Sequence, residues 1–192
     1  MPATWSQIEL AMRQPVVQDI CDQIKLLDGK DPDELSRLKK HLPIITPHAC
    51  RFRGDGSRKS SNAVPSGLVM LDIDHIDDPR EFFSTHICPH LGEKSLERPR
   101  EHNSSPLGCV VSQRNVVEDK VVDIVDNNAP CIYFVAVTPS GHGLRIIAER
   151  NPGESIPEAQ MRVAAACNLP EFDAVTKDLA RASFIMPWSY VL

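Results

Sequence analysis

Ser66-Gly67-Leu68-Val69-Met70-Leu71-Asp72-Ile73-Asp74 is the stretch on which the fold turns. A nearly continuous apolar run this short, opened by a Ser-Gly pair, fits a strand buried on both faces better than a helix. Side chains alternate along a strand, so Asp72 and Asp74 stand on the same face a few ångströms apart. Two carboxylates so placed repel each other unless a cation or a basic side chain lies between them. Paired carboxylate oxygens suit Mg²⁺ or Mn²⁺, which take hard oxygen ligands and leave positions open for water and phosphate. The plainer alternative is an apolar strand that simply ends in solvated acids at a turn.

Upstream, apolar residues recur at helical spacing from Trp5 to Leu42, broken at Pro15 and at Asp28-Gly29-Lys30-Asp31-Pro32, which predicts two or three helices. Asp31-Pro32-Asp33-Glu34 reads as a helix start and Lys39-Lys40 as its basic end. Residues 43–62 read as a basic loop. From Leu35 to Asn62, seven basic residues (Arg37, Lys39, Lys40, Arg51, Arg53, Arg58, Lys59) stand against Asp55, a local charge of +6. Downstream, Asp77-Asp78-Pro79 opens a short helix through Phe82 and Phe83. Residues 84–115, rich in Pro, Ser and His, read as an inserted surface loop. A helix is expected over 116–125, a strand over Cys131–Val137, a glycine turn, and a second strand over 144–148, making a hairpin. An amphipathic helix is expected over 157–167, a helix start at Asp178, and a closing strand over 181–191. Helices, strand, insertion, hairpin, helix and strand form an α+β pattern around a mixed or antiparallel sheet.

The 192 residues, 42% hydrophobic and 24% charged, suit one domain with an insertion and exclude a disordered or collagen-like chain. Met1 to Gln14 has no basic segment followed by an apolar one, and the longest apolar run, Cys131 to Val137, is far too short to cross a bilayer. A cytoplasmic protein with no membrane partner is expected. Six scattered cysteines without a CxxC pair carry neither a disulfide framework nor a zinc signature. A net charge of -5 argues against indiscriminate coating of nucleic acid. With +6 on residues 35–62, the rest of the chain carries -11, and four of those charges fall at Asp72, Asp74, Asp77 and Asp78.

Two further segments carry chemistry. Thr138-Pro139-Ser140-Gly141-His142-Gly143-Leu144-Arg145 puts hydroxyls, two glycines and an arginine at a strand-to-strand turn. Glycines let backbone N–H groups converge on an anion, and Ser140 and Arg145 add a hydroxyl and a charge for phosphate. The same glycines also serve an ordinary hairpin turn. His142 reads as an exposed loop residue, neutral at pH 7. Phe172-Asp173, Val175-Thr176 and Arg181 with Phe184 offer an acid, a polar turn and then an arginine entering an apolar run.

In this order the three segments resemble the motifs of the archaeo-eukaryotic primase, or primase-polymerase, superfamily: an apolar strand ending in DxD, a serine-glycine turn in a hairpin, and an aspartate followed by a basic residue and an apolar strand. Leu38-Lys39-Lys40-His41-Leu42-Pro43 and Ser66-Gly67-Leu68 are similar to the small primase-like N-terminal domain of bacterial and mobile-element replication proteins. The resemblance covers residues 35–83 and 130–190. It implies an RRM-like palm with flanking helices, with residues 1–34 as an N-terminal helical segment and 35–192 as a primase-like core carrying the insertion. Many members have histidine where this chain has Arg145, and arginine can replace that phosphate contact.

The resemblance further implies a DNA-dependent primase/polymerase-type nucleotidyltransferase. Asp72, Asp74 and Asp173 would be its catalytic carboxylates and hold two Mg²⁺ or Mn²⁺ ions. Ser140, Gly141, Gly143, Arg145 and Arg181 would hold a nucleoside triphosphate. Lys39, Lys40, Arg51, Arg53, Arg58 and Lys59 would follow the backbone of a single-stranded DNA template and primer. Relatives commonly carry a helicase domain, so a helicase is the expected partner and the chain is expected to be a fragment or a minimal copy. Primases often bear a zinc stem near the insertion, but His86, Cys88, His90, His102 and Cys109 are irregularly spaced and a solvated loop is the expectation.

Two rivals remain. One keeps the fold without catalysis, as a replication-associated nucleic-acid-binding module. The other, a phosphatase-like Rossmann domain, expects alternating βα units and a small-residue turn after its aspartate, where this chain has His75-Ile76-Asp77-Asp78 and a hairpin.

Overall fold

A computed structural model of the chain describes residues 3–27, 30–90, 130–169, 172 and 177–192. The expected helix over 116–125, most of the 84–115 insertion and Asp173 lie outside the described residues.

Helix starts follow local chemistry. Helix α1 (Trp5–Met12) opens on a reciprocal box in which Thr4 Oγ1 accepts from the Gln7 amide and Gln7 Oε1 accepts from the Thr4 amide. Helix α2 (Pro15–Leu27) begins on its proline. Helix α3 (Pro32–Lys39) is capped by Asp31, which accepts from the Glu34 amide at 3.0 Å. Four short strands follow in order: β1 (Ile44–Ile45), β2 (Ala49–Phe52), β3 (Ala63–Pro65) and the longer β4 (Leu68–Asp74). Asp78 caps α4 (Pro79–Phe82) through the Arg80 and Glu81 amides. Strands β5 (Ile132–Val137) and β6 (Gly143–Glu149) form the hairpin. Helix α5 (Ile156–Ala166) starts on a Ser155/Glu158 box, and β7 (Ser183–Phe184) comes last.

The main sheet is antiparallel, three-stranded and ordered β4-β6-β5. Its register sets Asp72 opposite Arg145 and Asp74 opposite Gly143. β4 is an edge strand, and side chains cover that edge. Met70 donates its N–H to His48 Nε2 and accepts at its carbonyl from Gln160 Nε2, each at 3.0 Å, and the Leu68 amide donates to Ser66 Oγ. At the opposite edge Ala136 bridges to Val191, and the Leu192 amide donates to the Val135 carbonyl.

One hydrophobic cluster joins α1, α2, the sheet and α5, with Ile24, Met70, Leu71, Ile146 and Val163 shut off from solvent. Trp5 meets Phe134 edge-on at 5.8 Å. The point between residues 34 and 35 falls inside α3, and α1 and α2 share the core of the sheet.

Three elements differ from the sequence expectation. The run 181–191 supplies the two-residue β7, which pairs antiparallel with β1, and meets the main sheet only through the single Val191 bridge. Pro187 carries no N–H, and Trp188–Tyr190 tightens into a 3-10 turn, so the extended run ends there. The basic 43–62 stretch is not all loop: β2 pairs with β3, Arg51 opposite Val64 and Phe52 opposite Ala63. No helix at Asp178 forms; its carboxylate instead accepts from the Ala180 amide in a turn. The molecule is α+β, with small antiparallel sheets and several helices. Among the described residues no helix is long and apolar enough to cross a membrane.

Candidate active site

The site lies where the end of β4 meets the start of β6. The two-residue period of β4 puts Asp72 and Asp74 on one face, and the register puts Arg145 and Gly143 beside them. Arg145 grips Asp72 with two parallel bonds, Nε to Oδ1 at 2.7 Å and Nη2 to Oδ2 at 2.9 Å. The two side chains are only 8% and 10% exposed, so the pair is buried. The third arm of the guanidinium, Nη1, donates to the Phe184 carbonyl at 3.3 Å and approaches Met186 Sδ. This places Arg145 on a carboxylate and a carbonyl, where the resemblance assigns it to phosphate.

Asp74, at the end of the strand, is exposed. Opposite it, a Cβ on Gly143 would stand 2.6 Å from the Ile73 carbonyl oxygen, 3.0 Å from Thr138 Oγ1 and 3.2 Å from Asp74 Oδ1. The absent side chain is what lets the strand, the turn and the carboxylate meet. The turn closes through Thr138 N–H to the Gly143 carbonyl and Gly141 N–H to the Thr138 carbonyl, each 2.9 Å. The Gly141 amide is thus committed to the turn. The half-buried Ser140 hydroxyl lies 3.3 Å from that of Thr138, which is buried inside the turn. The Ile76 amide donates to the His142 carbonyl at 3.0 Å and holds the chain after β4 against this turn. Between them His75 adopts φ 61°, a left-handed conformation uncommon outside glycine.

Carboxylate oxygens are hard donors, and a carboxylate has about four lone-pair sites. Arg145 uses one on each oxygen of the buried Asp72, so the carboxylate open to solvent is that of Asp74, whose hard oxygens suit Mg²⁺ or Mn²⁺. A second ion would draw on Asp173. Among the described residues no group of three His, Cys, Asp or Glu side chains gathers to hold a metal. Within the insertion, the His86 ring stacks on Phe82 at 4.4 Å, Cys88 is exposed, and His102 and Cys109 lie outside the described residues.

Arg181 is exposed beside Asp178. Of the expected template contacts, Lys40, Arg51, Arg53, Arg58 and Lys59 are exposed and Lys39 is half-buried. Ser60, next to this basic loop, donates to the Asp178 carboxylate, which joins the loop to the segment that carries Arg181. That hydroxyl and the Ala180 amide hold the Asp178 carboxyl below its ordinary range.

Sequence reading missed His48. It is fully buried, with Nδ1 3.0 Å from the Asp178 carbonyl and Nε2 accepting from the Met70 amide. Met70 N–H can only donate, so Nε2 carries the lone pair and Nδ1 the proton. Burial pushes the His48 pKa down. The ring ties β4, two residues before Asp72, to the segment after Asp173, and no local motif signals so distant a partnership. Lys25 was missed as well: its side chain reaches across from α2 to the Ser140-Gly141 turn. Neither models of known protein families, nor curated proteins, nor solved structures match this chain.

Proposed function

We propose that the chain is a primase/polymerase-type nucleotidyltransferase, its three-stranded sheet being the palm of an archaeo-eukaryotic primase fold. The observation that carries this reading is the Asp72/Asp74 pair on one face of a strand, beside a glycine turn that closes on the second carboxylate. Asp72, Asp74 and Asp173 would hold Mg²⁺ or Mn²⁺. When bound, such ions make a 3′-hydroxyl more acidic and offset the charge that builds on the phosphate under attack.

The 3′-oxygen forms a bond to the α-phosphorus, the bond from that phosphorus to the bridging α–β oxygen breaks, and pyrophosphate leaves with the hydroxyl proton passing to solvent. The residues of the chain act by placement. Arg145 fixes the plane of the Asp72 carboxylate and offsets its charge, so Asp74 keeps its oxygens outward. Ser140 offers a hydroxyl to phosphate oxygens, the buried Thr138 hydroxyl backs it, and Gly143 lets the turn close against Asp74. Arg181 adds a cation on the neighbouring segment. Lys39, Lys40, Arg51, Arg53, Arg58 and Lys59 would carry a single-stranded DNA template and primer, with a helicase as partner in bacterial or mobile-element replication.

A second reading, a nucleic-acid-binding module of the same fold without catalysis, draws on the Asp72-Arg145 pair, which engages a carboxylate and an arginine that catalysis would otherwise use. Primer extension and de novo dinucleotide synthesis with Mg²⁺ or Mn²⁺ separate the two. Product with wild type and none with Asp72→Ala/Asp74→Ala is expected. Equal product from both, or none from either, overturns the enzymatic reading, and DNA binding that survives the double substitution then favours the module.

A further inference from the structure

We propose that Lys25, on α2, supplies the cation of a polyphosphate site built on the Ser140-Gly141 turn; the nucleoside triphosphate as ligand rests on the nucleotidyltransferase reading, whereas the phosphate site stands on geometry. The stem of Lys25 runs through the space a side chain at residue 141 would fill. Its Cε lies 3.0 Å from the Cβ position of Gly141, and Cδ and Cγ lie 3.6 Å from it. Gly141 also has φ +86°, so glycine is required there twice over, for the turn and for the lysine beside it.

The ammonium, one bond beyond Cε, sits 4.1 Å from the centre of the Tyr190 ring. A ring face attracts a cation without offering it a lone pair, so the charge is held at the turn while its N–H groups can still meet phosphate oxygens. Tyr190 is 4% exposed, a fixed platform. Among the described residues its hydroxyl is buried without a hydrogen-bond partner.

The turn needs such a cation. Arg145 directs its three arms at Asp72 and the Phe184 carbonyl, and the Gly141 amide is engaged inside the turn. At the surface of the turn the half-buried Ser140 adds a hydroxyl, backed by the buried Thr138 hydroxyl 3.3 Å away. A neutral hydroxyl does not offset a polyphosphate, whereas an ammonium on the same turn does. The stem of Lys25 packs on the turn itself, so the charge arrives already positioned and little side-chain freedom is lost on binding.

Calorimetric titration of the full chain with inorganic triphosphate, with ATP and Mg²⁺, and with a single-stranded oligonucleotide tests the assignment. Lys25→Met keeps the stem and removes the charge, Lys25→Arg keeps the charge, and Lys25→Gln is a second neutral variant. Losing one charge-assisted phosphate contact weakens binding about tenfold or more. The expected result is that loss for triphosphate and ATP in the Met and Gln variants, near wild-type binding in the Arg variant, and little change for the oligonucleotide. Unchanged triphosphate affinity in the neutral variants overturns the proposal. So does a loss confined to the oligonucleotide, or the failure of wild type to bind triphosphate and ATP. Absence of polymer synthesis alongside the expected losses would discard the nucleotidyltransferase reading and keep the Lys25 site.

Discussion

Arg145→Met is the most informative perturbation of this molecule because it strands a buried charge. The substitution removes both bonds to Asp72 and the one to the Phe184 carbonyl, and leaves a carboxylate that is 10% exposed without its counter-charge. Removing one partner of a buried pair costs about 3–5 kcal/mol, most of it the desolvation of the ion left behind. At about 2–4 °C per kcal/mol for a chain of this size, unfolding should move down by roughly 6–20 °C. Asp72→Leu strands the guanidinium and should cost a similar amount. Replacing both members leaves two apolar groups in contact and should recover most of the loss, with a coupling of about 2 kcal/mol or more. Urea denaturation followed by circular dichroism, run on the wild type, both single variants and the double variant, closes the cycle. If Arg145→Met stays within about 1 kcal/mol of wild type, or the double variant is simply additive, Asp72 does not depend on Arg145 in solution and the ion-pair argument fails.

Three further outcomes are expected. His48 has its pKa lowered by burial from an ordinary 6.5, so as pH falls the unfolded chain protonates first. Its contribution is therefore complete above that value and is lost as pH drops below it. The stability gap between wild type and His48→Gln should shrink from about pH 7.5 to about pH 5.5 in urea titrations, and a constant gap would refute the assignment. Gly143→Ala forces a Cβ to within 2.6 Å of the Ile73 carbonyl oxygen, a backbone atom that cannot step aside. It should cost roughly 1–3 kcal/mol by denaturant unfolding, and a neutral substitution would contradict the close approach. Arg51→Gln/Arg53→Gln should lower the salt slope for single-stranded DNA binding by about 1.4, or about 0.7 per lost phosphate contact. An unchanged slope would take these residues off the template track.

Helix starts were legible because their chemistry is local. Asp31-Pro32 and Asp78-Pro79 each satisfy amides within three residues, so the pattern and its cause share one short window, whereas the equally local Thr4/Gln7 and Ser155/Glu158 boxes went unread. β4 was legible for a similar reason, its apolar run ending in acids. The run 181–191 was misread because its apolar character came without a continuous set of N–H donors, Pro187 breaking the ladder, and because the strand it pairs with, β1, has only two residues. The basic hairpin β2–β3 was missed because four residues facing three leave almost no alternation to read.

The sequence alone determined that this chain is α+β, that Asp72 and Asp74 share a face, and that a glycine turn separates the strands of a hairpin. Each follows from alternation, capping or turn chemistry, all of which act over a few residues. Only the tertiary structure decided where the charges went. Register across β4 and β6 put Arg145 on Asp72 instead of leaving it open, packing of α2 laid Lys25 against Gly141, and His48 and Gln160 closed the edge of β4. Electrostatic partnership is settled by distance in space and by the loss of water around a buried group, and neither is encoded in spacing along the chain.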